Sequence, residues 1–546
     1  MRNMEQEPGE ESAPPAAVAD GEAGAWAAIV RGPSTVFLRL SRTTAGELGP
    51  YVDLPAQLRF RIPLQRIAGG DDQAEFTASI EGLGQLTITG DPNGHQLGDE
   101  PRGRLQFASA AESLVLLRVE ALDRGTFAPF IGTYSGAGRT LLLSMRGDDA
   151  AAVPFYLEGD AIVRLYPVGE GRFFSERCEE LSLVRVDGAA LTVRPPDGAN
   201  QELLRIDACQ ERAVTFTSAG AELSGTLLLP HAGKHFGAVV LMHGSQPGER
   251  DFYRVYADSF VRAGMAALIF DKRGFGRSPS DRESSLLDRA HDAAAAVRYL
   301  RTVPEIDGTR VGLWAFSNGT WSAPMVAAGL EEVACLAALG AAGVSPAEAE
   351  IHRKLQELAE WGVSTALIEQ ARRAWTFAYA VVTGSSLSES EETEYHALVE
   401  RLHAAPEVAG IPLADYAIAN PWLAPIPPVT TPSELRELTG AASEMGYDPI
   451  ADYARVRCPV LFLVGSDDPN VPGTEGAARV RAALAAARHN DYEVKVVDGA
   501  AHLLNIVDGP VTGMSVAEAS GELHAFRFVP GHLDRVTDWI ARQLSE

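Results

Sequence analysis

Three side chains, far apart along the sequence, have the types and settings needed to activate a hydroxyl group. Val311-Gly312-Leu313-Trp314-Ala315-Phe316-Ser317-Asn318-Gly319 reads as a buried strand running into a sharp turn, with a helix beginning beyond it. Ser317 sits at the turn, and the residues two positions to either side, Ala315 and Gly319, are small enough for strand and helix to crowd together there. A serine hydroxyl is a weak nucleophile until a base takes its proton. His502 ends the small-residue loop Asp498-Gly499-Ala500-Ala501, just after an apolar strand, and is the expected base. A third segment, Cys458 to Pro472, is another buried strand ending in a polar turn that carries Asp467 and Asp468. Asp468 is expected to orient the imidazole, with Asp467 as the alternative; either could instead make an Asx turn. A serine in such a turn is weak evidence alone. The weight comes from three such residues, each at the end of an apolar strand.

A hydroxyl that attacks a carbonyl also needs amide donors for the negative charge that develops. Leu241-Met242-His243-Gly244-Ser245-Gln246 follows an apolar strand, and the backbone N–H groups of Ser245 and Asn318 are the expected oxyanion hole. Gln246, Trp321, Trp375 and Tyr379 are candidate substrate contacts, although the aromatics could equally be packing residues. Asp271 to Ser278 is glycine-rich but lacks the spacing of a nucleotide-phosphate loop, and reads as a structural turn near the same edge. No H-E-x-x-H and no paired C-x-x-C is present, so the spacing of the residues offers no metal site.

The elements that must hold these groups change character along the 546 residues, a length that suggests several domains. Residues 1–24 are acidic and rich in Pro and Ala, and read as a disordered tail without the apolar stretch of a signal peptide. Residues 25–122 alternate apolar and polar between turn signals and read as an N-terminal antiparallel β domain. Residues 123–210 continue with short strands, as a meander, barrel or sandwich. From residue 211 to 546, continuous apolar strands alternate with amphipathic helices, the pattern of an α/β domain with a mostly parallel sheet covered on both faces. A helical stretch interrupts that alternation at about 344–447 and opens with two capping boxes, at Ser345 and Ser388. It is expected to cap the end of the sheet.

A net charge of -26 disfavours nucleic acid and anionic membranes as partners. No run approaches the length of a membrane helix, so a cytoplasmic location is expected. Cys178, Cys209, Cys335 and Cys458 are widely spaced and are expected as free thiols.

These residues resemble the α/β-hydrolase superfamily, and within it bacterial multi-domain serine carboxylesterases. The likeness rests on His243-Gly244-Ser245 with Arg250-Asp251, on Asp271-Lys272-Arg273-Gly274-Phe275-Gly276-Arg277-Ser278, on Asp448-Pro449, and on Gly465 to Pro472. It covers residues 211–546, and the chain order serine, aspartate, histidine agrees with it. Ala315 replaces the usual first glycine of the serine turn, and Gln246 stands where many relatives have glycine. The resemblance implies hydrolysis of a small-molecule acyl ester or thioester through an acyl-enzyme, with neither a metal nor an organic cofactor. Acyl transfer, cyclisation or C–C bond hydrolysis on the same residues is the alternative, and a non-catalytic binding protein a third reading. The N-terminal β region has three roles open to it: holding part of a substrate, forming a homodimer, or shielding the mouth of the site.

Overall fold

Alternating apolar and polar residues between Trp26 and Arg118 fold, in the computed structural model, into two five-stranded antiparallel sheets packed face to face. The structure describes residues 26–545 except for short stretches, the longest being 91–101, 412–423 and 508–522. The N-terminal tail at 1–24 therefore lies outside the described residues. Leu38, Leu40 and Val52 of one sheet meet Ile80, Leu86 and Ile88 of the other in a shared core. These are the inward positions that a period of two selects.

Eight strands between Gly132 and Ile206 form the next unit. They pair antiparallel in sequence order, and the first, Gly132–Gly136, also pairs with the last, Gln201–Ile206, so that the set closes into a barrel. Tyr134, Leu141, Tyr156, Leu165, Leu191 and Leu203 fill its interior. Two short C-terminal strands, Asn505–Val507 and Phe526–Phe528, extend the sheet from the edge of Ala161–Gly169. The sequence assigns both to the C-terminal unit; at three residues each they carry too little periodicity to reveal this pairing.

The third unit is an eight-stranded sheet. Its strands are β1 (Gln210–Ser218), β2 (Ala221–Leu229), β3 (Phe236–Met242), β4 (Ala266–Phe270), β5 (Ile306–Phe316), β6 (Val333–Leu339), β7 (Val460–Gly465) and β8 (Tyr492–Val497). Their spatial order is β1-β2-β4-β3-β5-β6-β7-β8. The hairpin β1–β2 and the pair β2–β4 are antiparallel, and every other pairing is parallel. Helices α1 (Arg254–Arg262) and α8 (His532–Leu544) cover one face, and α2 (Leu286–Leu300), α3 (Gly319–Gly329) and α7 (Gly473–Ala486) the other. This double cover explains why the central strands are apolar without alternation. The barrel docks on the α1/α8 side, where its Leu142, Phe155 and Ile162 join a cluster with Val255, Trp314 and Trp539. Each large apolar side chain buried there contributes about 1.5–3 kcal/mol.

Between β6 and β7 the chain leaves the sheet as a helical insertion: α4 (Pro346–Glu360), α5 (Thr365–Val382) and α6 (Glu389–Ala404). Both capping boxes form, with Ser345 paired to Glu348 and Ser388 to Glu391. Among the described residues no helix is long and apolar enough to cross a membrane. The four cysteines are free thiols.

Candidate active site

The residues of interest gather where the parallel strands end. Ser317 occupies the turn between β5 and α3 with φ of +52°. A residue with a Cβ held in this left-handed region pays roughly 1–2 kcal/mol, so the surrounding contacts must enforce the turn. They do so at both ends. The Ser317 N–H donates to the Leu339 carbonyl at 2.9 Å, and the Ser317 carbonyl accepts from the Thr320 N–H at 2.8 Å and the Thr320 hydroxyl at 2.6 Å. A Cβ on Gly319 would lie 2.6 Å from the His243 carbonyl oxygen, which is why the turn admits glycine there.

His502 Nε2 lies 2.8 Å from Ser317 Oγ, and His502 Nδ1 lies 2.8 Å from Asp468 Oδ2. The side chain of Asp468 is fully buried. Its other oxygen, Oδ1, accepts from the backbone N–H groups of Asn470 at 2.8 Å and Val471 at 3.1 Å. Asp467 is exposed and its carboxylate accepts from the neighbouring Ser466 hydroxyl at 2.8 Å. The structure thus brings Ser317, His502 and Asp468 together and leaves Asp467 at the rim.

Two glycines, Gly340 and Gly465, make room for the imidazole's loop. At Gly340, φ is +54°, and a Cβ would come within 2.7 Å of the His502 carbonyl oxygen and 3.3 Å of its Cε1. At Gly465 a Cβ would overlap the Ala500 carbonyl at 1.9 Å. The Phe316 ring, 5.2 Å from the imidazole, completes the packing.

The loop after β3 is fixed from three directions. The Gly244 N–H donates to the buried Tyr253 hydroxyl at 2.8 Å. The Lys272 ammonium donates to the Ser245 carbonyl at 3.0 Å, and the Lys272 N–H to the Gly248 carbonyl at 2.7 Å. Arg250 binds Asp271 through Nε at 2.9 Å and Nη2 at 2.5 Å, and also reaches the Ser224 hydroxyl at 2.7 Å. Burial works against the charge on Asp271, but the Arg250 guanidinium and the Arg277 amide hold its carboxyl below the usual carboxylate range. Burial pushes His243 down to about 3, helped by the Lys272 charge, so its ring stays neutral. The turn at 271–278 is therefore the brace of this loop. Lys272 is the functional candidate that sequence reading missed; its one signal was position, directly after β4 at the same sheet edge. On the other side, Arg289 donates to the Asn318 side-chain oxygen and also holds Ser284 through Nε and Nη2, each at 3.2 Å.

A cavity of about 290 Å³ opens on Ser317, and Ser245, Asn318 and Trp321 line it. Trp321 is held by its Nε1–H to the Val344 carbonyl at 2.8 Å. Gln246 lies outside the described residues. For Trp375 and Tyr379 the expectation of substrate contact needs correction. Both are buried in the core of the helical insertion, with ring centroids 5.6 Å apart, and neither lines the cavity. The Trp375 Nε1–H donates to the Pro425 carbonyl at 2.9 Å, and the Lys354 ammonium lies 4.3 Å from its ring centroid. Trp375→Ala is accordingly expected to cost about 3–5 kcal/mol of stability, readable as a lower midpoint in denaturant unfolding. Among the described residues no group of three or more His, Cys, Asp or Glu side chains is placed to hold a metal.

The sheet order and the position of this site define a class of protein, and a family comparison names it. The model of the alpha/beta hydrolase family matches residues 239–511, half of the chain's 546 residues, and the chain belongs to that family. An uncharacterised 31.7 kDa protein of Escherichia coli is 22% identical over 256 residues, which is 46% of this chain and 80% of that protein. The esterase FrsA of Pectobacterium atrosepticum is 29% identical over 180 residues, covering 32% of this chain and 39% of the esterase. Among solved structures, an esterase of Pyrococcus furiosus aligns with 15% identity and a TM-score of 0.35, over 62% of this chain and 93% of its own.

Proposed function

We propose that the protein hydrolyses carboxylic esters of small molecules through an acyl-enzyme on Ser317. The observation that carries this reading is the continuous pair of 2.8 Å contacts from Ser317 Oγ through His502 to buried Asp468. Ser317 Oγ attacks the ester carbonyl as His502 Nε2 takes its proton. Asp468 fixes the imidazole with its Nδ1–H toward the carboxylate and stabilises the cation that forms. Because the Gly244 N–H is engaged by Tyr253, the next amide in the loop, Ser245, acts with Asn318 as the oxyanion hole. The imidazolium then protonates the departing alcohol, water attacks the acyl-enzyme with His502 again as base, and Ser317 is released. The helical insertion is the cap of the site: α4 supplies Glu350 and Arg353 to the cavity wall. The same chemistry extends to thioesters. The esterase named among the relatives supports the reaction class.

The test is turnover of 4-nitrophenyl esters of graded chain length together with labelling by a fluorophosphonate probe. The reading requires release of nitrophenol and labelling by the probe, both lost in Ser317→Ala. Folded wild-type protein that neither labels nor turns over any ester would overturn it.

Lys272 supplies a more selective test of the oxyanion assignment. Removing its ammonium frees the Ser245 carbonyl and loosens the loop that aims the Ser245 amide. Lys272→Met is expected to lower kcat by roughly 10- to 100-fold with little change in KM, since a donor aimed at the transition state is lost rather than ground-state affinity. Steady-state kinetics on one neutral ester decides it.

A further inference from the structure

We infer that His352, on the helical insertion, is a positioning residue for Asp468: it holds the Asp468 backbone, so that the alignment of the His502 base depends on where α4 sits. This rests on the esterase reading above. His352 Nε2 lies 3.0 Å from the Asp468 carbonyl oxygen. A carbonyl can only accept, so the imidazole presents an N–H at Nε2 and donates it. Asp468 is then held at both ends. Its carboxylate accepts from the Asn470 and Val471 amides through Oδ1 and meets His502 through Oδ2, while its carbonyl accepts from α4.

The residues along α4 say why this contact matters. Glu348 and His352 stand one turn apart on the same face of the helix. Both meet the sheet unit: Glu348 binds Arg479 of α7 at 2.8 Å, and His352 binds the turn after β7. Leu355 and Leu358 are buried in the core of the insertion. Ala349, Glu350, Arg353 and Glu360 line the cavity that opens on Ser317. One helix therefore carries part of the cavity wall, part of the insertion's core and the donor to Asp468. A shift of α4 that reshapes the cavity also pulls on the Asp468 carbonyl. His352 itself does not line the cavity, so its effect on the reaction passes through Asp468. A tilt of the backbone at 468 moves Oδ2 relative to His502 Nδ1, and a hydrogen bond weakens steeply as it leaves alignment. The consequence falls on the step in which His502 takes the proton, not on the affinity for the ester.

The experiment uses the full chain and a small neutral ester, 4-nitrophenyl butyrate. His352→Leu removes the donor, and His352→Phe removes it while keeping a ring in the half-buried position. In both, kcat is expected to fall by roughly tenfold, as for one lost hydrogen bond, with KM changed by less than about twofold. His352→Gln keeps an amide N–H close to the place of Nε2 and is expected to recover most of kcat. A helix that is merely loosened would instead move KM, because Glu350 and Arg353 stand in the cavity wall. The Asp468→Asn background gives the decisive comparison. With the carboxylate gone, His352→Leu is expected to cost less than about a further twofold, since contacts that act through one another are not additive. Three results would overturn the inference and leave the esterase reading standing: unchanged kcat in the Leu and Phe variants, a Gln variant as slow as Leu, or the full tenfold loss in both backgrounds. Folded wild type that neither turns over the ester nor takes up a fluorophosphonate label would remove both.

Discussion

Ser317→Ala is expected to reduce ester turnover by about five to six orders of magnitude while leaving the fold intact. The size follows from the proposed mechanism: without Oγ no acyl-enzyme could form, and the proposed oxyanion donors and bound geometry would retain only a residual acceleration. The fold survives because Ala also carries a Cβ at the same backbone position, and the contacts that enforce the +52° φ run through the backbone to Leu339 and Thr320. Ser317→Gly gives the complementary result. It also abolishes turnover, but it relieves the left-handed strain and is expected to raise stability by roughly 1 kcal/mol. Paired kinetics and thermal melts on the two variants separate chemistry from folding. A loss of activity accompanied by a collapsed melting transition in the Ala variant would mean that Ser317 is structural.

The backbone logic of the site was readable from residue types because sterics leave few choices. A turn that crowds β5 against α3 needs small residues at 315 and 319, and a carboxylate at the end of β7 with a histidine loop after β8 places both at one sheet edge. What could not be read depended on packing between distant segments. Arg146 stands in a strand whose pattern speaks only of a barrel; nothing local says that the barrel's end reaches the cavity. Gly340 and Gly465 look like ordinary strand ends, and their need for glycine appears only when the His502 loop crosses above them. Trp375 and Tyr379 show the limit of periodicity. A stripe on α5 establishes that one face is buried, but not whether it meets a cavity or the neighbouring helices. Lys272 is legible as a charge beside the edge, whereas its bond to the Ser245 carbonyl requires the three-dimensional path of the loop.

The adjacent pair Asp467 and Asp468 provides the sharpest contrast. Asp468→Asn is expected to lower kcat by about four orders of magnitude, and Asp467→Asn by less than about tenfold. The side chains differ by one position but by everything that matters electrostatically. Asp468 is sequestered, accepts two backbone N–H groups through Oδ1 and offers Oδ2 to His502 Nδ1. An amide in its place keeps the shape, but an NH2 group turned toward Nδ1 demands that the imidazole carry its proton on Nε2, where it faces Ser317 and cannot accept. A flip that presents the amide oxygen instead would set the NH2 against the Asn470 and Val471 amides, leaving buried donors opposed. Either orientation disables the base or destabilises the turn. Asp467, solvated and paired with the Ser466 hydroxyl, has no such coupling to the imidazole. Pre-steady-state acylation rates for the two variants measure the difference directly; equal losses would mean that the imidazole is oriented by the turn as a whole and not by the one buried carboxylate.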